Sequence, residues 1–134
     1  MIDTITLQRI DLLHPKLRDE VRSIYIEKIV PALAGNTFCR FAYTLRTFTE
    51  QNDLYAQGRT KLFDGQGKRL GIVTNAKAGS SFHNYGLALD IVLISGKNAS
   101  WDIVKDFDND GISDWMEIVK IFKSEGWIWG GDFK

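Results

Sequence analysis

One histidine and one aspartate stand close together in a segment that is otherwise built from apolar and small residues. This segment, Ser81 to Asp90, contains one of the two histidines of the chain. His83 precedes a run from Leu87 to Ile94 in which bulky and smaller side chains alternate, and Asp90 falls on the face with the smaller ones. Because an isolated buried carboxylate is costly, Asp90 is expected to be paired, hydrogen-bonded or bound to a metal ion. Imidazole and carboxylate on a loop and its adjoining strand form half of a zinc site, although the same spacing also suits a structural hydrogen bond.

A second distinctive stretch is the acidic loop from Asp106 to Glu117. Acidic residues occupy positions 1, 3, 5, 9 and 12 of these twelve residues and glycine occupies position 6, which is the spacing of a calcium-binding EF-hand loop. Carboxylates this close together repel one another unless a cation is bound. The predicted calcium ligands are the side chains of Asp106, Asp108, Asp110, Asp114 and Glu117, with the backbone carbonyl of Ile112.

Two features separate this loop from a complete EF-hand. Position 8, usually apolar, is Ser113, and residues 100–105 are too short for a confident preceding helix. A single calcium loop that orders the start of the next helix is therefore favoured over a paired calcium sensor. The alternative is a solvated acidic turn in which Asp114 caps that helix.

The elements that must position these residues indicate an α+β fold. Apolar residues at helical spacing, with capping and breaking residues around them, predict helices at 15–30, 49–57 and 114–124. Alternation predicts strands at 37–46 and 87–94. Pro31 is expected to end the first helix and His14 to cap or pack at its entry. Residues 1–13 predict only a short lead-in.

The composition indicates a single ordinary domain, residues 1–134. The formal net charge is zero, which excludes an overall basic field for nucleic acid or an anionic membrane. A single cysteine excludes a disulfide framework and a Cys-rich zinc site, and Cys39 is expected to be buried and inert. The sequence shows neither an export signal nor a run of membrane-spanning length, so no membrane insertion is expected. The protein is expected to be a monomer.

The pattern Ser-x-His-x-x-Gly-x-Ala-x-Asp at residues 81–90 resembles the signature of zinc peptidases that cut cell-wall peptides. This family includes D-Ala-D-Ala carboxypeptidases and L-alanyl-D-glutamate endopeptidases, phage endolysins among them. The resemblance implies a zinc metallopeptidase that hydrolyses peptidoglycan stem peptides, with the α+β fold of hedgehog proteins and D-Ala-D-Ala peptidases. It implies that His83 and Asp90 are the first two zinc ligands, and that the protein reaches the cell wall by export or by release as an endolysin.

Residues 44–60 are similar to a second family element, a Tyr-Arg-Thr/Ser sequence followed by Glu-Gln-x-x-Leu-Tyr-Ala-Gln-Gly-Arg-Thr. The resemblance implies that Arg46 stabilises the substrate carbonyl as it becomes an oxyanion and that Gln51 lines the same cleft. From the residues alone, without the resemblance to this family, Arg46 is interpreted as a surface or salt-bridging arginine. Ser81 is expected either to hydrogen-bond a ligand or substrate or to be a turn residue. Residues 58–80 predict a long loop over the mouth of the site.

The last nine residues, 126–134, resemble the family's Gly-x-x-Trp-Gly-Gly-Asp-Trp-Lys strand, which implies a third strand at 127–130. In the family an Asp-x-Pro-His segment follows and supplies the general base and the third zinc ligand; Asp132 matches a different position. The sequence is expected either to be truncated before that segment or to have lost hydrolysis, so weak zinc binding and little or no activity are expected. Two other classes remain open, a non-catalytic module that binds cell-wall peptide and a calcium-stabilised interaction domain.

Overall fold

The structure is a computed structural model that describes residues 1–33, 35–107 and 109–132. Its α-helices are α1 (Thr4–Ile10), α2 (Pro15–Ile24), α3 (Val30–Ala32), α4 (Phe48–Ala56) and α5 (Asp114–Ser124). Its strands are β1 (Thr37–Tyr43), β2 (Asp90–Ser95) and β3 (Asn98–Ser100), which form one antiparallel sheet in the order β1-β2-β3. The predicted α+β class, with a small antiparallel sheet packed against helices, is confirmed.

The third strand lies elsewhere than predicted. β3 follows β2 after a tight turn at Gly96 and pairs with its second half, whereas the strand expected at 127–130 is wrong. Gly130–Asp132 instead form a short 3-10 helix. The ring of Trp129 folds back over Gly131, where a Cβ atom would lie only 2.3 Å from it, so the chain curls at this point and does not extend. A strand of three residues is too short to show an alternation in the sequence.

The helices follow the sequence pattern more closely. α4 and α5 match their predicted ranges within one residue, and α5 matches exactly at both ends. The helix expected to end at Pro31 passes through a π-helical turn, Tyr25–Ile29, into α3, so Pro31 lies in the first turn of a new α-helical segment that ends at Ala32. His14 caps α2, since its Nδ1 accepts a hydrogen bond from the N–H of Lys16. The short helix α1 was not predicted.

One hydrophobic core joins the helices to the sheet. Its fully buried members come from α1, α2, β1, β2 and α5 and include Ile10, Val21, Phe41, Leu93 and Ile118. Cys39 is also buried in this core, and burial raises the pKa of its thiol, which confirms the expected inert cysteine. Within the described ranges, no helix is long and apolar enough to span a membrane.

A buried ion pair connects α1 to β1. The Asp3 carboxylate caps α1 by accepting from the Thr6 N–H and hydroxyl, and it accepts two hydrogen bonds from Arg40, at 3.0 and 3.1 Å. Burial by itself would raise the pKa of Asp3, but the bonds from Arg40 and Thr6 and the charge of Arg40 together lower it below its ordinary value of 3.8. A carboxyl group whose pKa is lower in the folded state than in the unfolded state stabilises the fold at pH values above its unfolded-state pKa.

We therefore expect Asp3→Asn to lower the free energy of unfolding by about 3 kcal/mol at neutral pH, because it removes the negative charge that pairs with Arg40. The difference from wild type should begin to shrink as the pH falls below 3.8 and should disappear only below the lowered folded-state pKa, where the native carboxylate is itself protonated. Urea unfolding at about pH 7 and about pH 2 measures both effects. Asp19→Asn is the control, since that carboxylate is fully exposed. An equal deficit at both pH values would contradict the assignment.

Candidate functional site

Three side chains predicted to act together do converge in the structure. His83 Nε2 lies 3.4 Å from Asp90 Oδ1, and Arg46 Nη2 lies 3.5 Å from Asp90 Oδ2. The side chains of His83 and Arg46 are each 14% exposed, whereas that of Asp90 is 48% exposed. The carboxylate is thus open to solvent on one side and is not the buried charge that the strand pattern suggested.

The backbone joins the two segments that carry these residues. Asp90 is the first residue of β2 and pairs with Tyr43 at the end of β1, after which the chain continues to Arg46. His83 lies in the 3-10 helix Phe82–Tyr85, and its carbonyl accepts a hydrogen bond of 2.9 Å from the N–H of Arg46. The imidazole, the carboxylate and the guanidinium are therefore placed by the sheet and by one loop that is bonded to it.

Asn84 is a site residue that sequence reasoning missed. Its buried side chain donates to the carbonyls of Arg46 (2.9 Å) and Thr47 (3.5 Å) and accepts from the N–H groups of Gly79 (3.1 Å) and Ser81 (3.3 Å). One amide thus holds the histidine loop against the end of the arginine segment. A signal was present, because Asn84 is three residues after Ser81 in a capping-box arrangement.

Gln51 holds Arg46 from the other side. Its side chain is fully buried, and its Oε1 accepts a 3.0 Å hydrogen bond from Arg46 Nη1 while its Nε2 donates to the carbonyl of Ala76 at 2.7 Å. α4 starts with a capping box between Thr47 and Glu50, whose hydrogen bonds lower the pKa of the Glu50 carboxyl. The guanidinium therefore has a fixed position before any ligand arrives.

Ser81 lies at the start of the His83 turn. Its hydroxyl oxygen accepts a 3.3 Å hydrogen bond from the N–H of His83 and so caps the 3-10 helix. The loop 58–80 that precedes it contains only two isolated bridges, Gln57–Lys61 and Phe63–Arg69, in keeping with the predicted loop. Its far end reaches Gln51 through Ala76.

Gly86 ends the histidine turn in a conformation that only glycine adopts readily. Its φ is +69°, and a Cβ atom there would lie 2.6 Å from the backbone nitrogen of His14, which donates a hydrogen bond to the Gly86 carbonyl. We expect Gly86→Ala to lower the free energy of unfolding by at least about 3 kcal/mol and to displace the turn.

The matched control for this substitution is Gly96→Ala, where φ is +62° but a Cβ atom would meet nothing within 4 Å. That variant carries the left-handed strain alone, expected at about 1–2 kcal/mol. Chemical denaturation of both variants measures the difference. Equal losses in the free energy of unfolding would show that the close contact with His14 does not destabilise the Gly86→Ala variant.

The spacing of His83 and Asp90 fits two ligands on one zinc ion. A direct charge-assisted hydrogen bond would be about 2.7–2.9 Å long. Two ligand atoms at 2.0–2.2 Å from one tetrahedral zinc lie roughly 3.3–3.5 Å apart. The observed Nε2–Oδ1 separation of 3.4 Å falls in the second range. Nε2 is the ring nitrogen that faces Asp90. The other ring nitrogen, Nδ1, is buried and has no hydrogen-bond partner in the described part of the chain.

An apolar cavity of about 440 Å³ adjoins Asp90. Tyr43 and Asp90 contribute to one wall and α5 contributes Trp115 and Phe122 to another. The four tryptophans of the chain all line it: Trp101, Trp115, Trp127 and Trp129. The sequence did not predict this cavity, because its walls come from segments that are far apart in the chain.

The acidic loop brings its carboxylates together. Asp106, Asp110 and Asp114 each place one carboxylate oxygen within 4.8 Å of the others. Gly111 has a φ of +87°, as position 6 of such a loop requires, and Asp106 accepts a hydrogen bond from its N–H. Asp108, another predicted ligand, lies outside the described residues. Ile112 is exposed and Glu117 lies in the first turn of α5.

The alternative role of Asp114 as a helix cap is wrong. Ser113 caps α5 by accepting from the N–H of Met116, and its hydroxyl donates to the carbonyl of Ile103. Asp114 is the first residue of α5 and is fully buried. Its carboxylate therefore belongs with those of Asp106 and Asp110 and does not close the helix end.

Comparison with known proteins finds similarity to a peptidase family model and to a curated bacterial protein. Residues 74–134 match the family model described as D-alanyl-D-alanine carboxypeptidase, a range that contains His83, Asp90 and the acidic loop. The chain is also similar to the peptidoglycan L-alanyl-D-glutamate endopeptidase CwlK of Bacillus subtilis (strain 168). The two are 48% identical over 91 residues, which are 66% of this chain and 50% of the relative. The chain thus spans about half the length of the curated relative that it matches.

Proposed function

We propose, because residues 74–134 match the D-alanyl-D-alanine carboxypeptidase family model, that the chain is part of a zinc metallopeptidase of this family that hydrolyses peptidoglycan stem peptides. The observation that carries the proposal is the 3.4 Å separation of His83 Nε2 and Asp90 Oδ1 beside a fixed guanidinium. The similarity to an L-alanyl-D-glutamate endopeptidase favours the bond between L-alanine and D-glutamate over a D,D-carboxypeptidase reaction. The protein would reach the wall by export or by release as an endolysin.

His83 and Asp90 would hold the zinc ion, which supplies a Lewis acid and lowers the pKa of a water molecule when bound. Arg46 would donate hydrogen bonds to the substrate carbonyl oxygen as negative charge develops there, from a position already fixed by Gln51. The hydroxyl of Ser81 accepts from the N–H of His83 and keeps its own proton for a substrate group. Asp132 pairs with Lys123 at 2.6 Å and is not assigned as a general base.

Metal analysis and cleavage of purified peptidoglycan test the proposal together. The 134-residue chain contributes two zinc ligands, so we expect weak zinc binding and little or no cleavage from it alone. A chain that also carries the family's Asp-x-Pro-His segment should bind one zinc ion tightly and release new D-glutamate amino termini. Zinc binding without cleavage in such a chain would favour a non-catalytic cell-wall peptide-binding module. Calcium binding without zinc would favour an interaction domain in which His83 and Asp90 are structural.

We also propose that the acidic loop binds calcium through the side chains of Asp106, Asp108, Asp110, Asp114 and Glu117 and the carbonyl of Ile112. Oxygen ligands of one calcium ion, each 2.3–2.6 Å from it, lie no more than about 5 Å apart. The 4.8 Å limit for Asp106, Asp110 and Asp114 is compatible with that. Because Asp114 begins α5 and Trp115 lines the cavity beside Asp90, a bound ion would stabilise one wall of the site.

Calcium is accordingly expected to raise the melting temperature. At a free calcium concentration one hundred times the dissociation constant, binding should raise the free energy of unfolding by about 2.7 kcal/mol. Asp106→Asn should remove most of this increase. Asp102→Asn is the matched control, because that carboxylate also accepts backbone N–H groups nearby but lies outside the twelve-residue loop. Calorimetric titration and thermal melts measure both. An Asp102→Asn effect as large as that of Asp106→Asn would argue against the loop as the calcium site.

A further inference from the structure

The two segments that form the site also expose an unusual number of aromatic rings. Six aromatic side chains of the described residues are exposed, and four of them lie within three residues of Arg46 or His83 in the sequence. These four, which we call the aromatic rim, are Tyr43 (52% exposed), Phe48 (51%), Phe82 (73%) and Tyr85 (49%). Single exposed apolar residues need no explanation, but a cluster beside a functional site marks a binding surface.

Packing and hydrogen bonding order three rings of the rim, those of Tyr43, Phe48 and Tyr85. Phe48 and Tyr85 make an edge-to-face contact with ring centroids 6.3 Å apart, and the Tyr85 hydroxyl donates to the carbonyl of Gly79 at 2.6 Å. The guanidinium of Arg46 lies 5.8 Å from the ring centroid of Tyr43. Phe82 directly precedes His83 in the same 3-10 helix. Rings held in this way lose little conformational freedom when a ligand binds.

We infer that the aromatic rim is a saccharide subsite, which binds the sugar that carries the stem peptide; the inference rests on the proposed function. In peptidoglycan the L-alanine of the stem is joined to the lactyl group of a muramic acid residue. The sugar ring therefore lies within roughly 8 Å of an L-alanyl-D-glutamate bond, about two residue lengths. A protein that cuts this bond at His83 and Asp90 must place a sugar next to these two segments.

The chemistry of the rim suits a sugar better than the other groups of the cell wall. The C–H bonds on the face of a pyranose ring pack against aromatic faces, and its hydroxyl and N-acetyl groups remain available to water and polar side chains. Within the segments 43–48 and 81–85 the basic side chains are Arg46 and His83, each only 14% exposed, and neither segment contains an acidic residue. This surface has no exposed cationic cluster to attract a polyanion such as a wall phosphate polymer.

The test uses chitotetraose, an N-acetylglucosamine oligosaccharide without a peptide bond, in titrations followed by NMR. We expect a dissociation constant in the millimolar range for the wild-type chain. Phe82→Ala should weaken binding roughly fivefold, and Phe82→Trp should restore it, because only the second variant keeps a ring. Phe63→Ala is the control, since Phe63 is equally exposed (54%) but lies in the loop 58–80. Phe82 is largely exposed, so its replacement leaves the fold intact.

Binding of chitotetraose is independent of hydrolysis. Chitotetraose contains no peptide bond, so its binding can be measured whether or not the protein binds zinc or cleaves peptidoglycan, and the failure of one proposal is distinguishable from the failure of the other. Absence of spectral changes at about 10 mM oligosaccharide would overturn the saccharide subsite. Equal affinity for Phe82→Ala would overturn it too. The saccharide subsite would also be overturned if the wild-type protein dimerised or bound vesicles through the rim, which would be detected as the loss of dimerisation or vesicle binding in Phe82→Ala.

Discussion

Replacing His83 with alanine is expected to abolish measurable zinc binding, whereas replacing His14 with alanine should leave it unchanged. His83 Nε2 and Asp90 Oδ1 have the separation of two ligands on one zinc ion. The loss of a residue that only supports a ligand typically lowers metal affinity 10- to 100-fold, so the loss of a ligand itself should lower it by at least about 100-fold. His14 is the natural control, because it is the other histidine of the chain and caps α2.

Asp90→Asn should have the same effect with a smaller structural change. The amide keeps the size of the carboxylate but loses the charge that a zinc ion and Arg46 both attract. Isothermal titration with zinc measures the affinity, and far-ultraviolet circular dichroism shows whether the fold is retained. If both variants remained folded and bound zinc as the wild type does, the metal would have to lie elsewhere in the chain.

In a chain that also carries the family's Asp-x-Pro-His segment, replacing Arg46 with lysine is expected to lower kcat by 10²- to 10³-fold, with zinc affinity nearly unchanged. Lysine keeps the positive charge but cannot donate to Gln51 and to a substrate oxygen in the planar geometry of a guanidinium. Release of D-glutamate amino termini from peptidoglycan provides the rate. Arg22→Lys is the control, since Arg22 forms exposed pairs with Asp11 and Asp19 on α2.

Gln51→Met separates the orientation of Arg46 from its charge. Methionine fills the buried volume but cannot accept the hydrogen bond from Arg46 Nη1, so a smaller loss of kcat is expected, about tenfold, with zinc binding retained.

A large change in KM with unchanged kcat in Arg46→Lys would show that the guanidinium binds substrate uniformly and does not act in the transition state.

Much of the fold was determined by local sequence. The apolar spacing of α4 and α5 predicted both helices within one residue, because a helix is specified by contacts within a few positions along the chain. The alternation at 37–46 predicted β1, in which Cys39, expected to be buried, lies inside together with Phe41. Local spacing also identified His83, Asp90 and the acidic loop, since ligand residues of such loops lie close together in sequence.

Longer-range features were decided only by the tertiary structure. The approach of Arg46 to Asp90 requires β1 to pair with β2 in one register across nearly fifty residues, and local patterns carry no information about that register. The same holds for Asn84, which is polar in sequence but becomes important only where it meets the carbonyl of Arg46.

The position of the third strand and the tryptophan-lined cavity depended on packing in the same way. Trp129 folds back over Gly131 and prevents an extended segment there, while β3 forms from three residues without a recognisable pattern. Sequence therefore determined which side chains could bind metal ions. The fold determined which of them face one another, because contacts between distant segments form only once a common core holds those segments together.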